Sequence, residues 1–163
     1  MIKLSLLVLT LAASCIGGFA ATLTHDGERG TATLDMGGMK VTVEYGSPDL
    51  KGRDLEALIK PGTEWRMGSD AATTLTTDTD LKFGQATIPK GKYVLRAKIV
   101  SAQDWRLLFQ TEDKKTVGEA PLKFEKVSSS SDHMKIVLGG TASGGTFTLL
   151  WGNLSLSSGF GRQ

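Results

Sequence analysis

The residues best equipped for chemistry fall in one short stretch, Trp65-Arg66-Met67-Gly68-Ser69-Asp70-Ala71-Ala72-Thr73-Thr74. A guanidinium and a carboxylate flank a glycine there, so Arg66 and Asp70 can grip an anionic or polyhydroxylated ligand. Trp65 would serve as a stacking wall, and the Thr73 hydroxyl would supply a further hydrogen bond. Tyr93, at the end of Pro89-Lys90-Gly91-Lys92-Tyr93, adds a phenol. These five residues, Trp65, Arg66, Asp70, Thr73 and Tyr93, are the candidate ligand-binding set. A competing reading is preferred to it: Trp65 fills the core, and Arg66 pairs internally with Asp70, Glu64 or Glu44. Tyr93 then packs inward at a strand start with its hydroxyl on a loop. If Arg66 sits in a buried pair, removing it would cost roughly 3–5 kcal/mol.

Catalytic constellations are sparse. A nucleophile needs a base within reach and a group to orient that base. The two histidines are His25 and His133. Ser131-Asp132-His133 holds the three residue types of a hydrolase triad, but neighbours in sequence do not converge on one atom. His25-Asp26 is half a metal site with no further ligand at a sensible spacing, and no zinc, phosphate-loop or dinucleotide motif occurs. The sequence implies no cofactor, no metal and no enzyme. A glycosidase-like pair of Asp70 and Glu44 is the one hydrolytic alternative.

The elements that would position these groups are strands. Thr31–Asp35 and Met39–Tyr45 flank Gly37-Gly38 as a hairpin, with Val41, Val43 and Tyr45 on one face and Lys40, Thr42 and Glu44 on the other. Thr73–Thr79 favours a strand. Leu81–Phe83 and Ala86–Ile88 form a second hairpin around Gly84-Gln85. Tyr93–Val100 follows the turn at Pro89–Gly91, with Tyr93, Leu95, Ala97 and Ile99 inward. Trp105–Gln110 comes next, its Trp105 inward. Val117–Val127 carries Pro121, which demotes its first half to an edge or a bulge. Ser128–Asp132 reads as a loop. Met134–Leu138, Thr146–Trp151 and Leu154–Leu156 read as separate strands, split by turns at Gly139-Gly140 and Gly144-Gly145. The one helical piece lies within Lys51–Lys60, with Leu55, Leu58 and Ile59 on one face and Pro61-Gly62 as its stop. The expected fold is therefore all-β, an antiparallel β-sandwich or flattened barrel with one short helical turn.

Composition agrees with this. The chain has 163 residues, 40% hydrophobic and 22% charged, which suits one globular domain. A chain of this size buries roughly 70% of its unfolded surface, enough for a core without staples. A net charge of +2 with interspersed signs gives no basic stripe for nucleic acid. Lys3 and the apolar run Leu4–Ala13 make a signal peptide, with Gly18-Phe19-Ala20 placing cleavage after Ala20. The expected division is thus a signal peptide over 1–20 and a β-sandwich domain over 21–163, without a transmembrane helix in the mature chain. The alternative is a lipoprotein anchored through Cys15, which lies in Leu11-Ala12-Ala13-Ser14-Cys15. Either form is exported, periplasmic, secreted or anchored. Cys15 is the only cysteine, so no internal disulfide forms. Thr22–Gly30 reads as a polar leader.

Four blocks in order resemble a known family: Tyr45-Gly46, Pro48 and Lys51-Gly52-Arg53; Trp65-Arg66, Gly68, Asp70 and Thr73; Pro89, Gly91, Tyr93 and Leu95; and Trp105–Phe109. The chain from Tyr45 to Leu156 resembles the bacterial domain-of-unknown-function family 2911, whose members are mostly exported. Asp70 stands where that family usually carries asparagine, and Asp54 where an apolar residue is usual. The resemblance implies a β-sandwich-like envelope domain and carries no activity with it. The function expected is non-catalytic binding of a small polar ligand or of an envelope protein partner, with a structural or interaction module as the alternative.

Overall fold

Alternation builds the first strands. The computed structural model describes residues 20–26 and 29–163, so the signal segment and Cys15 lie outside the described residues. Strand β2 (Arg29–Met36) and strand β3 (Met39–Gly46) pair in full register around Gly37-Gly38. Both glycines hold positive φ, 55° and 80°, as a two-residue hairpin turn requires. Val41, Val43 and Tyr45 are buried, while Lys40 and Glu44 are exposed on the other face. The stretch expected to be a polar leader is instead strand β1 (Ala20–Asp26), paired along β2 from Ala20↔Asp35 to Asp26↔Arg29. Its threonines suit a ladder, and β2 offers it an open edge.

Helix α1 (Leu55–Leu58) is a single turn, and Asp54 caps it by accepting from the Glu56 N–H at 3.0 Å. Then come β4 (Glu64–Trp65), β5 (Thr74–Thr77), β6 (Leu81–Phe83), β7 (Ala86–Ile88), β8 (Gly91–Ile99) and β9 (Trp105–Gln110). Two long strands finish the chain, β10 (Thr116–Thr141) and β11 (Gly144–Arg162). The order across the sheet is β1-β2-β3-β5-β8-β9-β10-β11-β6-β7, with β4 against β8, and every pairing is antiparallel.

The long strands depart most from the expected pattern. Ser128–Asp132 is part of β10 and not a loop, and Gly139-Gly140 lies in the ladder opposite Gly145 and Thr146. The hairpin turns instead at Ala142-Ser143. Thr146–Trp151 and Leu154–Leu156 belong to one strand, interrupted by Gly152 at φ 55°. Inward residues before that glycine are Phe147, Leu149 and Trp151; after it they are Leu154, Leu156 and Phe160. The left-handed residue thus shifts the two-residue alternation by one and keeps the apolar face inward on both sides. The strand also bends sharply. A straight strand spans about 3.3 Å per residue, which would hold the two ends of β11 far apart. A Cβ built on Gly144 would nevertheless stand 2.0 Å from the Phe160 carbonyl oxygen. The sheet therefore curls until its inward faces share one apolar cluster, from Ala32 on β2 to Phe160 on β11. Pro121 stands in register opposite Arg106, and the slip of β10 against β9 falls ahead of it, between Thr116 and Gly118.

Candidate functional site

After Gly46 the chain leaves β3 and crosses the irregular part of β10. The β10–β11 register slips between Lys126 and Ser131 and again between Ser131 and Lys135. The backbone groups freed there pair with the incoming segment. The Leu50 N–H donates to the Asp132 carbonyl at 2.8 Å, and the Met134 N–H donates to the Pro48 carbonyl at 3.0 Å. The Ser47 hydroxyl, buried, donates to the Met134 carbonyl at 2.7 Å. Asp49 and His133 form a β-bridge, and the Asp49 carboxylate contacts His133 Nδ1. Arg53 folds back on the same segment. Its Nε donates to the Leu50 carbonyl at 3.1 Å and its Nη2 to the Asp49 carbonyl at 2.5 Å. These bonds hold the guanidinium in place.

The opposite wall is the loop after β4. Met67 is fully buried and anchors it, and the buried Thr73 hydroxyl donates to the Met67 carbonyl at 2.7 Å. Met67 and Asp70 adopt left-handed φ values, 50° and 56°. A Cβ on Gly46 would lie 2.0 Å from the Ser69 carbonyl oxygen, so only glycine at 46 admits this loop. The close approach sets Ser69 and Asp70 facing Ser47–Asp49. Between the walls lies a cleft of about 650 Å³ lined by Ser47, Pro48, Asp49, Lys51, Arg53, Ser69, Asp70 and His133. The Asp70 carboxylate and the Lys51 ammonium have no hydrogen bond or ion pair among the described residues. The cleft can therefore meet a polar molecule with donors and acceptors together.

Of the five candidate residues only Asp70 lines this cleft. Arg66 stands behind it, exposed, with Nε donating to the Gly68 carbonyl at 3.2 Å and Nη1 to the Asp70 carbonyl at 3.3 Å. The expected ion pair of Arg66 with a carboxylate is absent among the described residues. Glu64 instead lies 3.4 Å from Arg96 across the β4–β8 pair, and Glu44 is exposed on β3, away from the cleft. Thr73 is buried support for the loop. Trp65 is half-buried and stacks on Trp151 with centroids 5.8 Å apart and planes at 10°. The Trp151 indole donates to the Asp132 carbonyl at 3.3 Å, so the stack braces the strand that carries His133. Tyr93 is buried, and its hydroxyl donates to the Pro89 carbonyl at 2.8 Å. Burial first, and then the Asp80 charge, push its phenol pKa up. The Ser131 hydroxyl donates to the His133 backbone carbonyl at 2.7 Å, so the contiguous Ser-Asp-His run does not converge.

Ser47, Asp49, Lys51, Arg53, Ser69 and His133 were not in the candidate ligand-binding set; Lys51 and Arg53 entered only through a family block, and His133 only through the contiguous Ser-Asp-His run. The segments that bring His133 to Asp49 are far apart in the chain, and no local pattern announces their pairing. Among the described residues no cluster of three His, Cys, Asp or Glu side chains could hold a metal ion. No helix among them is long and apolar enough to cross a membrane.

The fold and the cleft define an all-β domain with a polar recess where a crossing segment meets a glycine-seated loop. The family model described as "Protein of unknown function (DUF2911)" matches residues 28–159, and the chain belongs to that family. Comparison with curated proteins and with solved structures gives no match.

Proposed function

We propose that this chain is an exported envelope domain that binds a small polar ligand, without catalysis, in the cleft between Ser47–Arg53 and Ser69–Asp70. The observation that carries the reading is the juxtaposition of a carboxylate, Asp70, and an ammonium, Lys51, each unpartnered among the described residues, one on a loop tied by the Thr73 and Arg66 side chains and the other on a segment fixed by backbone hydrogen bonds. Charges held on a rigid frame lose little entropy when a ligand engages them.

A thermal-shift and calorimetry panel of amino acids, sugars, sugar phosphates and nucleotides tests it. A ligand at a hundredfold excess over its Kd would stabilise the fold by about 2.7 kcal/mol. Asp70→Asn is expected to weaken that ligand by about tenfold or more. It should leave the melting temperature of the free protein unchanged, because the side chain is exposed and unpartnered. A panel without a single shift, or a ligand indifferent to Asp70→Asn, would count against the cleft. Export rests on Lys3, the run Leu4–Ala13 and Gly18-Phe19-Ala20. Its check is the intact mass of protein recovered from the cell envelope, expected to begin at Ala21. A lipid-bearing mass starting at Cys15 would replace the free form with an anchored one, and an uncleaved cytoplasmic product would refute export.

A further inference from the structure

A second recess lies on the other side of α1. Leu55 and the capping residue Ile59 form one side; Trp105, Phe124 and Leu154 form the other, around a groove of about 470 Å³. That volume falls within the range of about 300–1,000 Å³ typical of small-molecule sites, as does an apolar lining with a few polar groups. Trp105, almost wholly buried, and half-buried Phe124 stack on each other with centroids 5.8 Å apart and planes at 18°, so the groove has an aromatic lining.

The polar groups at its rim are of two kinds. Glu56 and Lys126 pair with each other at 2.7 Å across the groove mouth, and this bond is the largest cause holding the Glu56 carboxyl below its usual range. Among the described residues they are the only charged side chains lining the groove, and they cancel. Gln103 and Asn153 are exposed, and neither side-chain amide has a hydrogen bond among the described residues. Asn153 follows Gly152, the left-handed residue that breaks the alternation of β11. A Cβ at Gly152 would stand 3.1 Å from Leu50 and 3.8 Å from Leu55, so the bulge is also the point where α1 docks. Bulges of this kind commonly re-aim a side chain beside a site.

We infer that this groove is a binding site for a small uncharged molecule with a flat apolar body and hydrogen-bonding groups at its edge. The body lies along Trp105 and Phe124, and the edge meets the amides of Gln103 and Asn153. An ionised ligand is disfavoured, because a charge brought onto this apolar floor finds no unpaired opposite charge to offset its desolvation. The site is independent of the polar cleft.

The probe is the neutral fluorophore N-phenyl-1-naphthylamine, titrated into the folded protein. Saturable enhancement with one site per chain is expected. Its sulfonated anionic relative, 1-anilinonaphthalene-8-sulfonate, should bind about tenfold or more weakly. Ala102→Trp fills the groove from one rim and Asn153→Trp from the other, each at an exposed position. Each should lower the neutral probe's affinity by about tenfold or more while circular dichroism stays unchanged. Asp70→Asn should leave it unchanged, which separates this site from the polar cleft. Absence of saturable enhancement, equal binding of the anion, or undiminished binding in a folded tryptophan variant would overturn the inference.

Discussion

Replacing Gly46 by alanine is expected to destabilise the fold by about 3 kcal/mol or more, at the upper end of what overpacking costs. The added methyl would stand 2.0 Å from the Ser69 carbonyl oxygen, 2.7 Å from its carbon and 2.8 Å from its nitrogen. All three contacts are backbone, so no rotamer change relieves them. The loop cannot withdraw freely either. Met67 is fully buried, and the Thr73 hydroxyl ties the Met67 carbonyl to the start of β5. Gly68 leaves no slack from its side, because a Cβ there would stand 2.9 Å from the Gly46 carbonyl oxygen. Urea unfolding followed by circular dichroism measures the loss. Gly139→Ala is the matched control: nothing lies within 4 Å of its added Cβ, and its φ is not positive, so a change within about 0.5 kcal/mol is expected. Equal midpoints for Gly46→Ala and the parent would mean that Ser69 and Asp70 are not seated against β3. The cleft would then lack its second wall.

The same two walls show how far the sequence could be read. Strands with a plain alternation and a strong turn were legible, as at Val41, Val43 and Tyr45 around Gly37-Gly38. Alternation is a local consequence of which face meets the core. The single turn of α1 was legible for a similar reason, with Leu55 and Ile59 packing and Pro61-Gly62 stopping it. The long strands were not. Gly139, Gly140, Gly144 and Gly145 look like turn residues, yet two of them are close-approach glycines. At Gly145 a Cβ would press on the Phe160 ring and on Leu34, and both lie elsewhere in the sequence. Glycine marks either a tight turn or a close neighbour, and the sequence does not say which. The serine run 128–132 misled for a related reason. The partners that hold its far end lie elsewhere in the chain: Ser131 pairs with Gly152, and the Leu50 N–H donates to the Asp132 carbonyl. Of the five candidate residues, Asp70 alone lies in the cleft. Arg53, Asp49 and His133 emerge only when the crossing segment has met β10.

The residue that holds the central loop is Met67, whereas its neighbours Trp65 and Arg66 attracted attention in the sequence. Met67→Ala is expected to cost about 2–5 kcal/mol, the range for truncating a buried methionine, because its side chain is fully enclosed by the core. Arg66→Ala is expected to cost about 1 kcal/mol or less. The guanidinium is exposed, and its two bonds, at 3.2 and 3.3 Å, go to carbonyls that water can satisfy after it is gone. The order of the two effects discriminates between arrangements of this loop. A buried ion pair at Arg66 would make its removal the larger loss, because an uncompensated charge would remain inside. Met67 also sits at φ 50°, where a side chain is disfavoured, so its burial must outweigh that backbone cost. Met67→Gly separates the two contributions. It loses the same packing but relaxes the backbone, and it should therefore destabilise less, relative to Met67→Ala, than the usual preference for alanine over glycine predicts. Urea midpoints of the three variants settle the ranking. An Arg66→Ala loss exceeding that of Met67→Ala would return the guanidinium to the role of internal brace and remove Met67 as the anchor of the Asp70 wall.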